Sequence, residues 1–253
     1  MKAILVTGGG SGIGRAVAIR FARKGWRVGL ADIDARGLVD TAAMLPPERT
    51  STHQMDVRDP SEWEHVLADF TALSGGRLDV LFNNAGVGAG GPFGEIGLDA
   101  LDRVIDVNLK GNFHVLQAAG QLMTMQGSGS IVLFSSIRSL VTEPGQSVYS
   151  MTKSGIVQLV RTAATEWGQT GVRVNAVGPG VIETPLTAPI KAQPAWYNAY
   201  ADKTPMKRWA KAEEMAGPTV FLLSDAASYV TGTILFADGG WLANDGRFTP
   251  PGM

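Results

Sequence analysis

"VTGGGSGIGRAVA", residues 6–18, decides how the rest of the chain is read. It follows the short apolar run "AILV" (3–6) and opens "GRAVAIRFARKG" (14–25), a stretch with helical periodicity. That is a strand, a glycine loop and a helix in direct succession. Gly8 allows a tight turn, Gly12 lets the backbone approach a pyrophosphate, and Gly14 permits close packing of helix on strand. A helix that starts here directs free N–H groups and a positive dipole end at phosphate oxygens. Glycine-rich turns are common; the strand-before, helix-after context is what makes this one a nucleotide cradle. The expected contacts are Gly8, Ser11, Gly12, Ile13 and Gly14.

About twenty residues on, the next apolar run "RVGLAD" (27–32) ends in Asp32. A carboxylate there accepts hydrogen bonds from ribose hydroxyls and repels a 2′-phosphate. It could instead cap the following helix, but Asp34 is better placed for that. No Arg or Lys lies between Gly9 and Ile13, and Arg36 is the one nearby cation that could receive a 2′-phosphate. The expected cofactor is NAD.

Outward from this unit the pattern repeats. Strand candidates fall at 3–8, 27–32, 52–57, 78–84, 130–136, 172–180 and 233–240, several of them apolar at nearly every position. Such runs suit strands covered on both faces. Between them lie helical patterns, among them 61–73, 101–126 and 147–168. The alternation predicts an α/β fold: a Rossmann-type, doubly wound parallel sheet of about seven strands with helices on both faces. Nothing marks a second domain, so 1–253 reads as one NAD-binding catalytic domain. One connection stands out. Residues 182–211 carry four prolines and several aromatics, and a segment this long is either a substrate lid or an Ω-like surface loop. The tail at about 242–253 runs past the last strand pattern.

Composition removes several function classes. A formal net charge of −1 with no basic run argues against nucleic acid or an anionic membrane as partner. The absence of cysteine excludes disulfides and thiolate metal sites. His53, His65 and His114 have no ligand-like spacing, so no metal is expected. The N-terminal apolar run is too short for a signal segment or a membrane span, and a cytoplasmic protein is expected.

"YSMTK" (149–153) places a phenol and an ammonium four residues apart, which on a helix means one face and one turn. A phenol titrates near pH 10 unless positive charge favours its anion. Alone, the pair could be a surface accident. The company it keeps resembles the short-chain dehydrogenase/reductase family: T-G-x-x-x-G-x-G from Thr7 to Gly14, "NNAG" (83–86), Asn108 in "VNLKG", Ser136, "YSMTK", "GPG" (178–180), and "VTGTILFADGG" (230–240) as last strand, all in the family's order.

The resemblance implies a role for each matching residue. Tyr149 is the catalytic acid and base, and Ser136 holds the substrate oxygen. Lys153 binds the nicotinamide ribose and lowers the phenol pKa, and Asn108 anchors a water-mediated relay to Lys153. Asp56 and Val57 border the adenine; Asn83, Ala85 and Gly86 line the cofactor; Pro179, Gly180, Ile182 and Thr184 border the nicotinamide end. It also implies a homotetramer joined through the helices at 101–126 and 147–169, whose apolar Val107, Leu116, Leu122, Val157 and Val160 exceed one buried face. By the family's layout the substrate pocket is lined by 87–94, by the stretch between Ser136 and Tyr149, and by the lid. That stretch offers Arg138, Glu143 and Gln146, unless Arg138 and Glu143 face solvent or pair with each other. Trp196 and Tyr197 on the lid could cover a sugar ring. The expected reaction is NAD(H)-dependent hydride exchange with a secondary alcohol or ketone, most simply of a sugar or polyol. The alternatives are an apolar cyclic or aromatic alcohol or ketone, and a catalytically silent nucleotide sensor.

Overall fold

The computed structural model of the chain describes residues 1–88 and 90–244. Its chain order begins β1 (Ala3–Thr7), α1 (Gly12–Ala22), β2 (Arg27–Asp32), α2 (Ala35–Ala42), β3 (Thr50–Gln54), α3 (Pro60–Leu73) and β4 (Val80–Asn83). It continues with α4 (Leu98–Ile105), α5 (Gly111–Gln126), β5 (Gly129–Phe134), α6 (Ser147–Trp167) and β6 (Val172–Pro179). After a short excursion come α9 (Ala216–Leu223) and β9 (Ile234–Ala237). Seven strands form one parallel sheet in the order β3-β2-β1-β4-β5-β6-β9.

Every residue of β1 and β4 is buried, as apolar runs broken only by the terminal Thr7 and Asn83 require of strands with helices on both sides. One face packs against α3, α5 and α6 through residues such as Trp63, Phe70, Leu116 and Val160. The other packs against α1, α2 and α9 through Phe21, Leu38 and Leu222. The connections run outward in opposite directions from β1 and β4. A crevice therefore opens at their carboxyl ends, where such sheets hold ligands.

Four sequence expectations need correction. The third strand is Thr50–Gln54, not 52–57. Its partner β2 stops at Asp32, opposite Gln54, so the ladder has nothing further to pair with. Met55 and Val57 are buried because the loop turns into the helix layer, not because they are in the sheet. The long pattern at 101–126 is not one regular helix: Asp106–Lys110 forms a π turn between α4 and α5. The wider turn accommodates one extra residue, a distortion common at functional sites, and leaves Asn108 fully buried.

Third, 182–211 is largely ordered into regular elements: β7 (Ile182–Glu183), α7 (Ala188–Lys191), α8 (Pro194–Lys203) and β8 (Ala210–Lys211). β7 and β8 pair, so the two ends of the excursion are clamped together at its base. Fourth, the five apolar residues read as surplus are used within the chain. Leu116, Val157 and Val160 are buried, and Val107 and Leu122 pack against the same core. The apolar residues these helices leave exposed are others, among them Phe113, Met125 and Met151. No helix among the described residues is long and apolar enough to cross a membrane, and no group of His, Asp and Glu there could hold a metal. Of the tail, residues 245–253 lie outside the described residues.

Candidate active site

A cleft of about 440 Å³ runs along the carboxyl ends of β1, β2 and β4. Gly8 and Gly12 form its floor, both in the left-handed region with φ of +62° and +51°. Gly14 does not line it. It lies beneath, where helix meets strand so closely that a Cβ would sit 2.0 Å from the Gly8 carbonyl oxygen. Ser11 precedes α1 in extended conformation, and its hydroxyl caps no backbone N–H of the helix. The first N–H groups of α1 thus face the cleft, which is the donor set a diphosphate needs.

At the far end Asp32 accepts from Gly10 N at 2.9 Å and from Asp34 N at 3.0 Å. These two bonds fix its carboxylate in the cleft wall with acceptor capacity left for hydroxyls. Asp34, through its own carboxylate, caps α2 by accepting from Arg36 N at 3.1 Å. Arg36 is exposed and does not reach the cleft. Diphosphate donors at one end and a ribose acceptor at the other fit a dinucleotide.

A buried polar network stitches the cleft together. Thr7 Oγ1 donates to Asn83 Oδ1 (2.6 Å) and accepts from the N–H groups of Asn84 and Ala85. Asn83 Nδ2 donates to Asn112 Oδ1 (2.9 Å), and Asn112 Nδ2 donates to the Asn108 carbonyl (2.6 Å). Asn108 in turn grips Val87 with both ends of its amide, at 2.9 and 2.8 Å. Buried networks of this kind hold one geometry when every member is satisfied. This one ties the ends of β1 and β4 to the π turn.

Tyr149 and Lys153 stand one turn apart on α6, as their spacing predicts. Lys153 is buried, donates to the Phe134 carbonyl at 2.7 Å, and lies 5.5 Å from the Tyr149 ring centroid. Burial lowers its ammonium pKa to about 8. The phenol of Tyr149 is pushed above its usual value by burial, against which a hydrogen bond with Ser136 and the charge of Arg138 act. Arg138 thus adds its charge at the phenol, on the same α6 pair that the spacing of Tyr149 and Lys153 brings together. Ser136, at the head of the turn after β5, also accepts from Arg138 N at 3.1 Å.

Beyond Tyr149 the cleft continues into a second cavity of about 290 Å³. One wall is polar: Ser136, Arg138, Glu143 and Gln146. The opposite wall is apolar and comes from 181–209, including Val181, Leu186, Ile190 and Trp209. Arg138 and Glu143 both line the cavity and also pair, Nη2 to Oε2 at 2.7 Å. The anticipated pairing and the anticipated lining thus both occur.

Most of the expected cofactor residues do line the first cleft: Gly8, Ser11, Gly12, Ile13, Asp32, Asp56, Val57, Ala85, Gly86, Tyr149, Lys153 and Thr184. Asn83 does not, because its side chain turns inward to the network; its neighbour Asn84 lines the cleft instead. Gly180 and Ile182 line the second cavity, and Pro179 is buried at the end of β6. Trp196 lines neither cavity; it is half-exposed and meets Tyr200 edge-on. Tyr197 stacks on Trp209 at 4.9 Å and donates its hydroxyl to Glu183. The aromatics of 182–211 that reach the second cavity are Tyr200 and Trp209, which sequence reasoning missed. The proline-and-aromatic-rich composition of 182–211 marked the segment but not which ring turns inward.

Residues 8–242 match the family model described as enoyl-(acyl carrier protein) reductase. Levodione reductase of Leifsonia aquatica is 37% identical over 250 residues, covering 94% of this chain and 93% of that protein. D-threitol dehydrogenase of Mycolicibacterium smegmatis is 37% identical over 246 residues, covering 95% and 92%. The crystal structure of levodione reductase superposes with a TM-score of 0.90 at 36% identity, over 96% of this chain and 98% of that one.

Proposed function

Because the chain belongs to the short-chain dehydrogenase/reductase family, oxidoreductases that use a nicotinamide cofactor, we propose that it exchanges hydride between NAD(H) and a sugar or polyol secondary alcohol. The observation that carries the substrate class is the polar wall of Ser136, Arg138, Glu143 and Gln146 beside Tyr149. A wall whose hydroxyl, amide and charge pair keep spare donors and acceptors favours a ligand with hydroxyl groups to meet them. That D-threitol dehydrogenase is among the relatives supports this reading. The apolar wall and the similarity to levodione reductase favour a cyclic ketone as the second reading. A panel of sugars, polyols and cyclic secondary alcohols followed by NADH absorbance separates the two. Turnover of apolar alcohols with none of any polyol would install the second.

The nicotinamide, when bound, accepts or returns the hydride; the chain's residues handle the proton and the orientation. In oxidation, Tyr149 Oη takes the proton leaving the substrate hydroxyl, and in reduction it gives that proton back. Ser136 Oγ hydrogen-bonds the same substrate oxygen as its charge changes. Lys153 holds the nicotinamide ribose with its ammonium. Asn108, pinned by Val87 and Asn112, fixes the π turn from which a water relay to Lys153 would start. The 182–211 excursion serves as the lid, hinged at the β7–β8 clamp, and the whole chain acts as one catalytic domain in the cytoplasm. Exposed Phe113, Met125 and Met151 on α5 and α6 supply apolar surface for a homotetramer. Light scattering at micromolar concentration should give four chains per particle; a monomer would remove that assembly.

Two further results are expected. Native enzyme should use NAD far better than NADP, because a 2′-phosphate would meet the fixed Asp32 carboxylate. Asp32→Ala should narrow the ratio of kcat/KM by about tenfold or more, since like charges in contact cost several kcal/mol. Equal use of both cofactors by the native enzyme would refute this. The second concerns pH. Lys153 has its free-enzyme pKa lowered to about 8, and its protonated form carries the ribose donors. NADH affinity should therefore be flat below that pH and weaken above it, by at most about tenfold per pH unit for one proton. Fluorescence titration of NADH across this range tests the sign. A dissociation constant that stays level through pH 9 would take Lys153 away from the ribose.

A further inference from the structure

Arg138 and Glu143 are the only charged side chains lining the second cavity among the described residues. Arg138 is 8% exposed, two residues from Ser136, with its guanidinium carbon 5.5 Å from the Trp241 ring and 6.0 Å from the Tyr200 ring. Glu143 meets it at 2.7 Å with one carboxylate oxygen and accepts the Tyr200 hydroxyl with the other. Two aromatic rings and the lid helix thus hold one arginine and one glutamate in contact. The pair leaves the cavity with no net charge beside the reacting centre.

We propose that Glu143 determines the charge selectivity of this site: by neutralising Arg138 it makes the cavity select uncharged substrates and reject their carboxylate counterparts. The inference rests on the assignment of the second cavity as the substrate site. An arginine buried beside a catalytic hydroxyl is the natural recognition element for a carboxylate, which it can take in a bidentate fork. Here one arm of the fork is already engaged, Nη2 with Glu143 Oε2, and the negative charge of Glu143 stands beside the rest of it. An incoming carboxylate would have to displace Glu143 or lie against it as a like charge, and either is unfavourable. A hydroxyl-bearing neutral ligand meets no such conflict, because both members of the pair retain donor or acceptor capacity for it. In the Glu143→Gln variant the amide oxygen can still accept from Tyr200, but the negative charge is gone. Arg138 is then a buried cation without a counter-ion, and a substrate carboxylate becomes the group that completes it.

The test uses two pairs of compounds that differ in a carboxylate: D-sorbitol with D-gluconate, and cyclohexanol with 4-hydroxycyclohexanecarboxylate. Native enzyme should favour the neutral member of a pair by about tenfold or more in kcat/KM. E143Q should shrink or reverse that ratio by about tenfold or more, and R138Q/E143Q should lose the gain. A readout independent of turnover is the melting temperature: D-gluconate should raise it for E143Q and leave native and double-variant protein unmoved. Native enzyme that uses both members of its productive pair equally would overturn the proposal even if E143Q does not fold. So would an E143Q protein that loses both members in proportion and shows no gluconate-dependent shift. Activity on the cyclohexane pair alone, with the charge preference intact, would defeat the polyol reading while leaving this one standing.

Discussion

Tyr149→Phe is expected to lower turnover by about a thousandfold, within the range that a positioned acid–base group contributes, while leaving NADH affinity within about twofold of native. The ring stays, so the packing of the half-buried side chain on α6 is kept. What goes is the oxygen that exchanges the proton, together with its hydrogen bond to Ser136. Losing that bond should cost about 1 kcal/mol of stability, far too little to unfold a domain of this size. Turnover and binding are thereby separated: steady-state rates fall while the NADH titration does not move. Near-normal turnover of the variant on its best substrate would remove Tyr149 from the chemistry. It would also revive the silent-sensor alternative for the fold.

Gly14→Ala should severely weaken cofactor binding through geometry alone. The new Cβ would stand 2.0 Å from the Gly8 carbonyl oxygen and 2.7 Å from its carbon, with Asn84 Nδ2 at 3.1 Å. The two nearest are backbone atoms of the turn that floors the cleft, so no side-chain rotation relieves the contact. Either α1 moves off the sheet or the loop shifts, and both misplace the helix N–H groups at the diphosphate end. Overpacking of this severity costs about 3 kcal/mol, and NADH affinity should fall by about a hundredfold or more, given how steeply misplacement is penalised. Gly75→Ala is the control: a Cβ there meets nothing within 4 Å. Its φ of +75° is a local strain at a surface turn, so it should lower the melting temperature slightly and leave binding intact. A Gly14→Ala enzyme with native NADH affinity would show that the close approach of helix and strand is dispensable.

The parts of this protein legible in the sequence are those fixed by short-range rules. The glycine spacing at 8, 12 and 14 sets a turn and a helix start from backbone conformation alone. The apolar runs set buried strands, and Tyr149 and Lys153 meet because four residues make one helical turn. Asp34 capping α2 was likewise readable, being a local bond between neighbours. Where the sequence reading went astray, a long-range partner decided the outcome. The third strand ends at Gln54 because β2 has run out beside it, not because its own residues stop favouring a strand. Asn83 and Asn84 are identical side chains one position apart, so only the direction each takes at the end of β4 separates a structural residue from a cleft residue.

The same physics divides the catalytic end from the substrate end. Catalytic spacing is short and rigid, so sequence alone determined which phenol and which ammonium stand together. The second cavity is assembled from Gly88 and Gly90 after β4, the turn after β5, and residues 180–209 including Tyr200 of α8, segments more than a hundred residues apart in the chain. Whether Arg138 lines the pocket, faces solvent or pairs with Glu143 was open in the sequence because each option is locally equivalent. Tertiary packing closed it: with Tyr200 and Trp241 around the guanidinium, water is excluded and the buried cation requires a carboxylate, which Glu143 supplies at 2.7 Å.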